Sequence, residues 1–217
     1  LYLYIYIMKL RKFYAALAAV LMGGCMLTAC SEDDEPSVKQ ETTETELIVS
    51  GVWKSGEVVH LDRHLVIPEG QSLTIEPGVT VIVDGKGVGV NHVPVEIEVK
   101  GNLYVLGTAE HPVTFTVDPA LRTADNTFKG LWGGIVAYES CEEMALDHVV
   151  IEYTGAQVIE GSPAAIAGIY TAGDDMYPQV TTSNLNGRYA LTNSIIRNGA
   201  SDGIYMMGGN GVITNNT

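Results

Sequence analysis

The chain has 217 residues, enough for one large domain or two small ones, and 46% of them are hydrophobic. Its 26 acidic residues outnumber the 12 basic ones and give a formal net charge of -14. Nucleic acid and anionic lipid head groups would repel so acidic a chain, so neither is an expected partner.

The N-terminal segment has the organisation of a secretory signal peptide. Basic residues at positions 9–12 precede an apolar run at 13–29, which is short for a membrane-spanning helix and ends in small residues. Residues 1–29 are therefore predicted to be a signal peptide. Residues 1–7 precede Met8 and are interpreted as a translation-start artefact.

The last three residues of the predicted signal peptide and the next residue read LTAC at positions 27–30, which resembles the lipobox of bacterial lipoproteins. Cys25 is the rival cysteine, but the residues before it match less well. The resemblance implies diacylglycerol on the thiol of Cys30, and several acyl chains on one cysteine give stable membrane anchoring. The next residues, SEDDE, resemble the acidic export signal of Bacteroidetes lipoproteins. This second resemblance implies an outer-membrane lipoprotein that faces the cell exterior.

The residues after Cys30 are predicted to be a tether rather than a folded segment. Residues 30–46 are rich in acids and almost free of large apolar side chains, a composition typical of a disordered, solvated linker. If Cys30 carries lipid, Cys141 is the remaining ordinary thiol, and no disulfide framework can form. Acids follow Cys141 directly and would raise its thiol pKa, so it is interpreted as structural.

The remainder, residues 47–217, is predicted to be all-β. Short runs rich in Val, Ile, Leu and Thr alternate with Gly, Asn and Asp, and no segment has helical periodicity. The clearest runs are HLVI, SLTIEPGVTVIV, VEIEVKGNLYVLG, VTFTV, GGIVAY, HVVIEY, AGIYTA (167–172), NSIIRN, DGIYMM and GVITNN.

Recurring elements favour stacked coils over a sandwich of hairpins. Gly-Ile occurs at 134–135, 168–169 and 203–204, and a second apolar element follows each time. Stacked coils bury a continuous core that no single coil could bury alone. The interval from Ile195 to Ile213 is interpreted as one bare coil of 18 residues, with Asn198 and Asn216 at the same offset.

Several of these runs also carry a family resemblance. SLTIEPGVTVIV, GNLYVLGTAEHPVTFTV, WGGI, LDHVVIEYTG and LTNSIIRNG look like successive coils of the pectin-lyase-like superfamily, which implies a right-handed parallel β-helix over roughly residues 60–217. Leu73 and Ile75 should point inward, with a turn at Pro77-Gly78. Because Thr217 falls within a coil and no polar cap follows, the domain is expected to be incomplete.

The interval from Leu146 to Leu191 is interpreted as one coil that carries two long loops, near 154–165 and 172–188. In the second loop, Asp174 and Asp175 are candidate Ca²⁺ ligands, the sole cofactor expected, or a catalytic acid and base. A solvated Gly-Asp-Asp turn is the alternative. Arg188 is a further catalytic candidate, because polysaccharide lyases of this fold use Arg or Lys as the base.

Aromatic side chains are the other candidate ligand contacts, since sugar rings stack on tyrosine faces. Tyr170, Tyr177 and Tyr205 are the candidates, with core packing as the alternative. Tyr170 and Tyr205 both follow Gly-Ile and are therefore expected to stack on consecutive coils.

These observations predict a surface-exposed lipoprotein whose β-helix serves as a binding or adhesion scaffold, for glycans above all, without catalysis. The alternative is a polysaccharide lyase or glycoside hydrolase whose active site is completed by further C-terminal coils. The fold alone does not decide between the two, because the superfamily includes lyases, glycosidases, adhesins and proteins without known activity.

Overall fold

A computed structural model describes residues 38–217. The predicted signal peptide and Cys30 lie outside the described residues. The strands, in chain order, are β1 (Lys39–Thr42), β2 (Glu46–Trp53), β3 (Val58–Leu61), β4 (His64–Ile67), β5 (Ser72–Ile75), β6 (Thr80–Val83), β7 (Ile97–Val99), β8 (Asn102–Leu106), β9 (Val113–Val117), β10 (Ile135–Ala137), β11 (Glu143–Asp147), β12 (Val149–Glu152), β13 (Val180–Thr182), β14 (Arg188–Thr192), β15 (Ile195–Arg197), β16 (Ile204–Met206) and β17 (Asn210–Thr214).

Helical structure within residues 38–217 comprises one short α-helix, α1 (Pro163–Ile166), and the 3₁₀ turns Pro119–Leu121 and Ala124–Asn126. In this part of the chain, no helix is long and apolar enough to cross a lipid bilayer. The fold is therefore built almost entirely from strands.

The strands form three parallel sheets that wind around one core. Sheet 1 contains the start of β2 and then β4, β7, β10, β13 and β16, each paired with the next. Sheet 2 contains the end of β2 and then β5, β8, β11, β14 and β17. Sheet 3 contains β3, β6, β9, β12 and β15. This is the predicted right-handed parallel β-helix, with one strand of each sheet per complete coil.

The core consists of inward side chains stacked in columns along the β-helix. In sheet 2, Ile75, Val105, Leu146 and Leu191 are register partners on successive coils, and each is at most 4% exposed. The inward orientation predicted for Ile75 is thus confirmed. Each inward residue contacts equivalents above and below, so burial is shared by neighbouring coils.

The corner between sheets 2 and 3 depends on left-handed backbone conformation. His148, Asn193 and Asn215 have φ of 51°, 54° and 57° and occupy equivalent positions on three coils. The amide of Asn215 donates to Asn193 Oδ1 at 3.2 Å. Gly107 occupies the same position one coil earlier, where a β-carbon would collide with the carbonyl of His148. The asparagines suit this corner because their side chains tolerate left-handed φ.

The residues at this corner show that the predicted coil length of 18 residues is wrong. Ile213 pairs with Leu191 in sheet 2, whereas Ile195 belongs to sheet 3. The stacked asparagines are Asn193 and Asn215, 22 residues apart, and not Asn198 and Asn216. The error arose because strands of different sheets share the same apolar alternation.

The interval from Leu146 to Leu191 is one coil, as predicted, but its loops differ from the prediction. Leu146 pairs directly with Leu191, so the interval is a single coil. Its extra residues form one insertion, residues 153–179, between β12 and β13, while part of the predicted second loop is β13 itself. Residues 167–172 are not a strand, because α1 precedes them and Gly168 turns the chain at a φ of 71°.

The N-terminal boundary lies earlier than the composition suggests. β1 pairs antiparallel with β2, from Lys39 with Ser50 to Thr42 with Leu47. Ordered pairing therefore extends into the range for which the sequence predicts a tether, ahead of the expected boundary at Leu47.

Candidate functional site

A cleft on the outer face of sheet 1 is the candidate functional site. Its floor is built by VEIEVK at 95–100, in which Val95, Ile97 and Val99 point into the core and are 0% exposed. Side chains alternate along a strand, so Glu96, Glu98 and Lys100 point outward. The same face carries His64 on β4, in register with Glu46 on β2.

Two segments roof this outer face and convert it into a cleft. Residues 84–96 connect β6 to β7, and the part of this connection before Val95 forms one segment of the roof. The insertion at 153–179, which carries α1, forms the other. The cleft between them encloses about 690 Å³, and its lining includes His64, Glu98 and Tyr138. Val90 and Ile166 also line it but are 93% and 79% exposed, so they form an apolar rim. The volume falls within the range typical of small-molecule sites.

Glu96 lies under the roof and connects it to the sheet. It is 0% exposed, and its carboxylate accepts hydrogen bonds from the hydroxyls of Tyr138 (2.6 Å) and Tyr177 (2.7 Å) and from the amide of Ala164 (3.1 Å). Burial raises the pKa of Glu96 to about 7, although the two hydroxyls oppose the shift. Because Tyr177 and Ala164 belong to the insertion, Glu96 positions the roof rather than contacting a ligand.

Glu98 is the exceptional group in the cleft. It is 1% exposed, and Lys100 Nζ lies 2.7 Å from its Oε2. Its Oε1 has no hydrogen-bond partner within residues 38–217. Burial raises the pKa of Glu98, while the ammonium of Lys100 opposes the shift. A buried carboxylate oxygen without a donor is energetically costly, and a ligand that donates to it would remove that cost.

His64 and Lys100 complete the floor with different charge states. The backbone amide of Glu96 donates to His64 Nδ1 at 3.1 Å, which fixes the neutral tautomer with hydrogen on Nε2. Burial, with the nearby Lys100, lowers the pKa of His64 to about 4. Lys100 also lies 5.2 Å above the ring of Tyr138, so its cation is held from two sides.

A smaller cleft of about 390 Å³ lies beside the turns that follow sheet 3, where Asp62, Asp84 and Asp118 are stacked on successive coils. These carboxylates are already engaged, Asp62 by Arg63 and the other two by backbone amides of their own turns. The sheet 1 cleft is therefore the stronger candidate.

The acids predicted in the insertion lie in a turn. Asp175 Oδ2 accepts the backbone amide of Thr171 at 2.6 Å, and Asp174 is exposed. Within the described part of the chain, no group of three or more His, Cys, Asp or Glu side chains could hold a metal ion. Catalysis or Ca²⁺ binding by Asp174 and Asp175 stays a prediction, without a converging ligand set.

Arg188 lies on sheet 2, away from the cleft on sheet 1, and its Nε donates to Glu143 Oε1 at 2.6 Å. Cys141 is 0% exposed, and burial raises the pKa of its thiol to about 12, as a structural cysteine requires. Neither side chain faces the cleft.

The three candidate tyrosines have different environments. Tyr177 is 0% exposed and donates to Glu96, so it supports the roof. Tyr170 packs edge-on against Tyr177 at 5.9 Å, and its hydroxyl lies 2.5 Å from Thr181 Oγ1. Tyr205 is 45% exposed and is the register partner of Thr181 on the next coil. The predicted equivalence of Tyr170 and Tyr205 is therefore wrong, because Tyr170 lies in the insertion and not on a strand.

Sequence reasoning missed the floor of the cleft. The available signal was the alternation in VEIEVK, which places two glutamates and a lysine on one outer face. The outer faces of solenoids are ordinarily exposed to solvent, so charged residues on them do not by themselves indicate a binding site. What makes Glu96 and Glu98 unusual is the roof, and the roof comes from segments distant in sequence.

Comparison with known families agrees with this architecture. Residues 44–143 match the family model described as a pectate-lyase like beta helix domain. With the parallel sheets, the match supports a pectin-lyase-like β-helix, as the resemblance implied. No curated protein and no solved structure shows a significant match to the chain.

Proposed function

We propose that the protein is an exported lipoprotein, anchored to the outer membrane through Cys30 and exposed at the cell surface, and that its β-helix binds a glycan in the sheet 1 cleft without cleaving it. The observation that carries the binding function is the buried, unpartnered Oε1 of Glu98 in the floor of a roofed cleft. The N-terminal sequence pattern supports the anchor.

The cleft offers what a saccharide requires. Its floor carries a carboxylate, an ammonium, a neutral imidazole and a phenol, which suit the hydroxyl groups of a sugar. Its rim carries Val90 and Ile166, which suit the apolar faces of a pyranose ring. A few convergent polar groups in a concave surface with apolar patches are typical of ligand sites.

Binding is favoured over cleavage because the two glutamates cannot share the work of acid and base. Glycoside hydrolysis requires two carboxyls that both reach the substrate. Glu96 is 0% exposed, and its oxygens accept three hydrogen bonds from the protein. Of the two glutamates of VEIEVK, Glu98 alone lines the cleft.

A glycan array with the full-length mature protein tests the binding function. Replacement of Ala167, an exposed residue that lines the cleft at the end of α1, with tryptophan should fill the cleft and abolish glycan binding. The matched control is Ala124→Trp, at an exposed site outside the cleft, which should bind like the wild type. Equal loss in both variants, or none in either, would place glycan binding elsewhere. New reducing ends or unsaturated products would favour the enzyme instead.

Lipid anchoring has its own expected result. Cys30→Ala should abolish metabolic labelling with palmitate and release the protein from the membrane fraction, since the acyl chains provide the attachment. Cys25→Ala is the matched control and should remain labelled. Unchanged labelling of the Cys30 variant would contradict the assignment.

A further inference from the structure

The charge of the cleft restricts the kind of saccharide it can hold. Glu44, Glu46 and Glu98 line it, against one cationic side chain, Lys100. Lys100 is already engaged with Glu98 at 2.7 Å. His64 adds no charge, because burial lowers its pKa to about 4. The cleft therefore has an excess of negative charge when empty.

Two of the acids that line the cleft, Glu46 and Glu98, interact electrostatically. Glu46 raises the pKa of Glu98 by charge repulsion, although burial makes the larger contribution. A cation placed between the two carboxylates would be attracted by both and would relieve their repulsion. The unpartnered Oε1 of the 1% exposed Glu98 is the acceptor such a cation would meet.

An organic cation fits better than a metal ion. Among residues 38–217 there is no group of three His, Cys, Asp or Glu side chains able to coordinate a metal. An ammonium group needs fewer ligands, because its N–H bonds donate to individual oxygens and its remaining donors can face water.

A saccharide fits better than a basic peptide. Extended peptides commonly bind by adding a strand to a free sheet edge. The strands beneath the cleft, β4, β7 and β10, are paired on both sides, so they offer no free backbone edge. Recognition here must rely on side chains in a concave surface, as is usual for small ligands.

We infer that the cleft selects an amine-bearing saccharide, whose ammonium group donates a hydrogen bond to Glu98 Oε1 and lies within the field of Glu46. The inference rests on the proposed glycan-binding function and specifies its ligand class. Saccharides that carry carboxylates, such as galacturonate oligomers, would be repelled by the same acids.

Calorimetric titration of the full-length mature protein tests the inference with matched probes. The probes are a glucosamine tetramer, the neutral glucose tetramer with the same β-1,4 linkage, a galacturonate tetramer and a lysine-rich peptide, at a pH at which the sugar amine is protonated. We expect the glucosamine tetramer to bind about tenfold more tightly than the glucose tetramer, the value of one charge-assisted hydrogen bond.

Variants assign the preference to the cleft. Glu98→Gln should reduce it to about twofold or less, and Glu46→Gln should reduce it by a smaller factor. If Glu98→Gln does not fold, Glu46→Gln still tests the inference, because Glu46 is only partly buried. The matched control, Glu110→Gln, removes an exposed acid outside the cleft and should keep the wild-type preference.

Each other outcome counts against the inference in a distinct way. Equal binding of the glucosamine and glucose tetramers would overturn it and leave the glycan-binding function intact. Binding of the lysine-rich peptide as tight as that of the glucosamine tetramer would overturn the saccharide assignment. If no saccharide binds, here or on the array, the proposed function fails as well.

Discussion

Glu96→Ala is expected to lower the free energy of unfolding by about 3 kcal/mol, because it leaves three buried donors without an acceptor. Those donors are the hydroxyls of Tyr138 and Tyr177 and the amide of Ala164. Two of the three belong to the insertion at 153–179, so the roof should loosen before the coils unfold. Urea denaturation measures the first effect, and limited proteolysis measures the second, as new cleavage within the insertion.

The matched controls separate this effect from a general loss of charge. Glu110→Ala removes an exposed acid and should change neither stability nor proteolysis. Glu96→Gln should be about as stable as the wild type near pH 4.5, because an amide oxygen can still accept two of the hydrogen bonds and the amide nitrogen can donate to the hydroxyl oxygen of Tyr138. If Glu96→Ala is as stable and as resistant to protease as the wild type, the roof is held by other contacts.

Stability should also depend on pH through Glu96, with a sign opposite to that of most acids. Its pKa is raised from 4.5 to about 7 on folding, mainly by burial. The folded state therefore binds the proton more tightly than the unfolded state, and stability falls as pH rises from 4.5 to about 7. The full shift corresponds to a loss of about 3 kcal/mol at most.

His64 acts in the opposite direction over part of this window. Its pKa falls from 6.5 to about 4 on folding. Its contribution to the free energy of unfolding is therefore fully present above pH 6.5 and is lost as the pH falls toward 4. Glu98 on β7, Tyr138 directly after β10 and Tyr177 in the insertion also face Glu96. Burial raises the pKa of both tyrosines, so their hydroxyls stay protonated throughout.

Denaturation of wild type and Glu96→Gln across this pH range isolates the contribution of Glu96. Since glutamine resembles the protonated acid, the variant should match the wild type near pH 4.5 and exceed it in stability above pH 7. The pH dependence that remains in the variant should include the rise due to His64. Parallel curves for the two proteins would show that Glu96 has no raised pKa in the folded state.

The sequence predicts the β-helix well because the fold repeats. Apolar alternation in SLTI and NLYVL identifies strands, and Gly78 turns at a φ of 81° where the Pro-Gly pair predicts a turn. Pairing of Leu146 with Leu191 confirms that the long interval is one coil. These features depend on local residues and on the need to bury one face of every strand.

The strand register and the position of the insertion are harder to predict from the sequence than the strands themselves. Ile195 and Ile213 lie in runs with the same apolar alternation but belong to different sheets. The length of the coil is instead given by Asn193 and Asn215, which have left-handed φ at equivalent positions. Gly168-Ile169 resembles a strand start, yet it follows α1 in the insertion. A repeated dipeptide cannot reveal whether its backbone pairs with a neighbouring coil.

The candidate site could not be predicted from the sequence, because its parts meet only in three dimensions. Glu96 and Tyr177 are 81 residues apart in the chain and 2.7 Å apart in the fold. Nothing near Glu96 in sequence indicates that it will be buried. Burial by a distant insertion is what raises its pKa, so the chemistry of the site follows from topology.

The stacked coils provide the hydrophobic core, whereas the roof covers the cleft, so the roof can be exchanged without rebuilding the core. The insertion leaves β12 and returns at β13, and those strands are tied into the cylinder by their own neighbours. Shortening or replacing the residues that follow Tyr153 in this insertion would leave the stacked core columns intact, provided that Tyr153, which packs in the core, and Glu96, the acceptor for Tyr138, are kept. Loop grafting at this one junction could therefore give the same cylinder a different ligand preference.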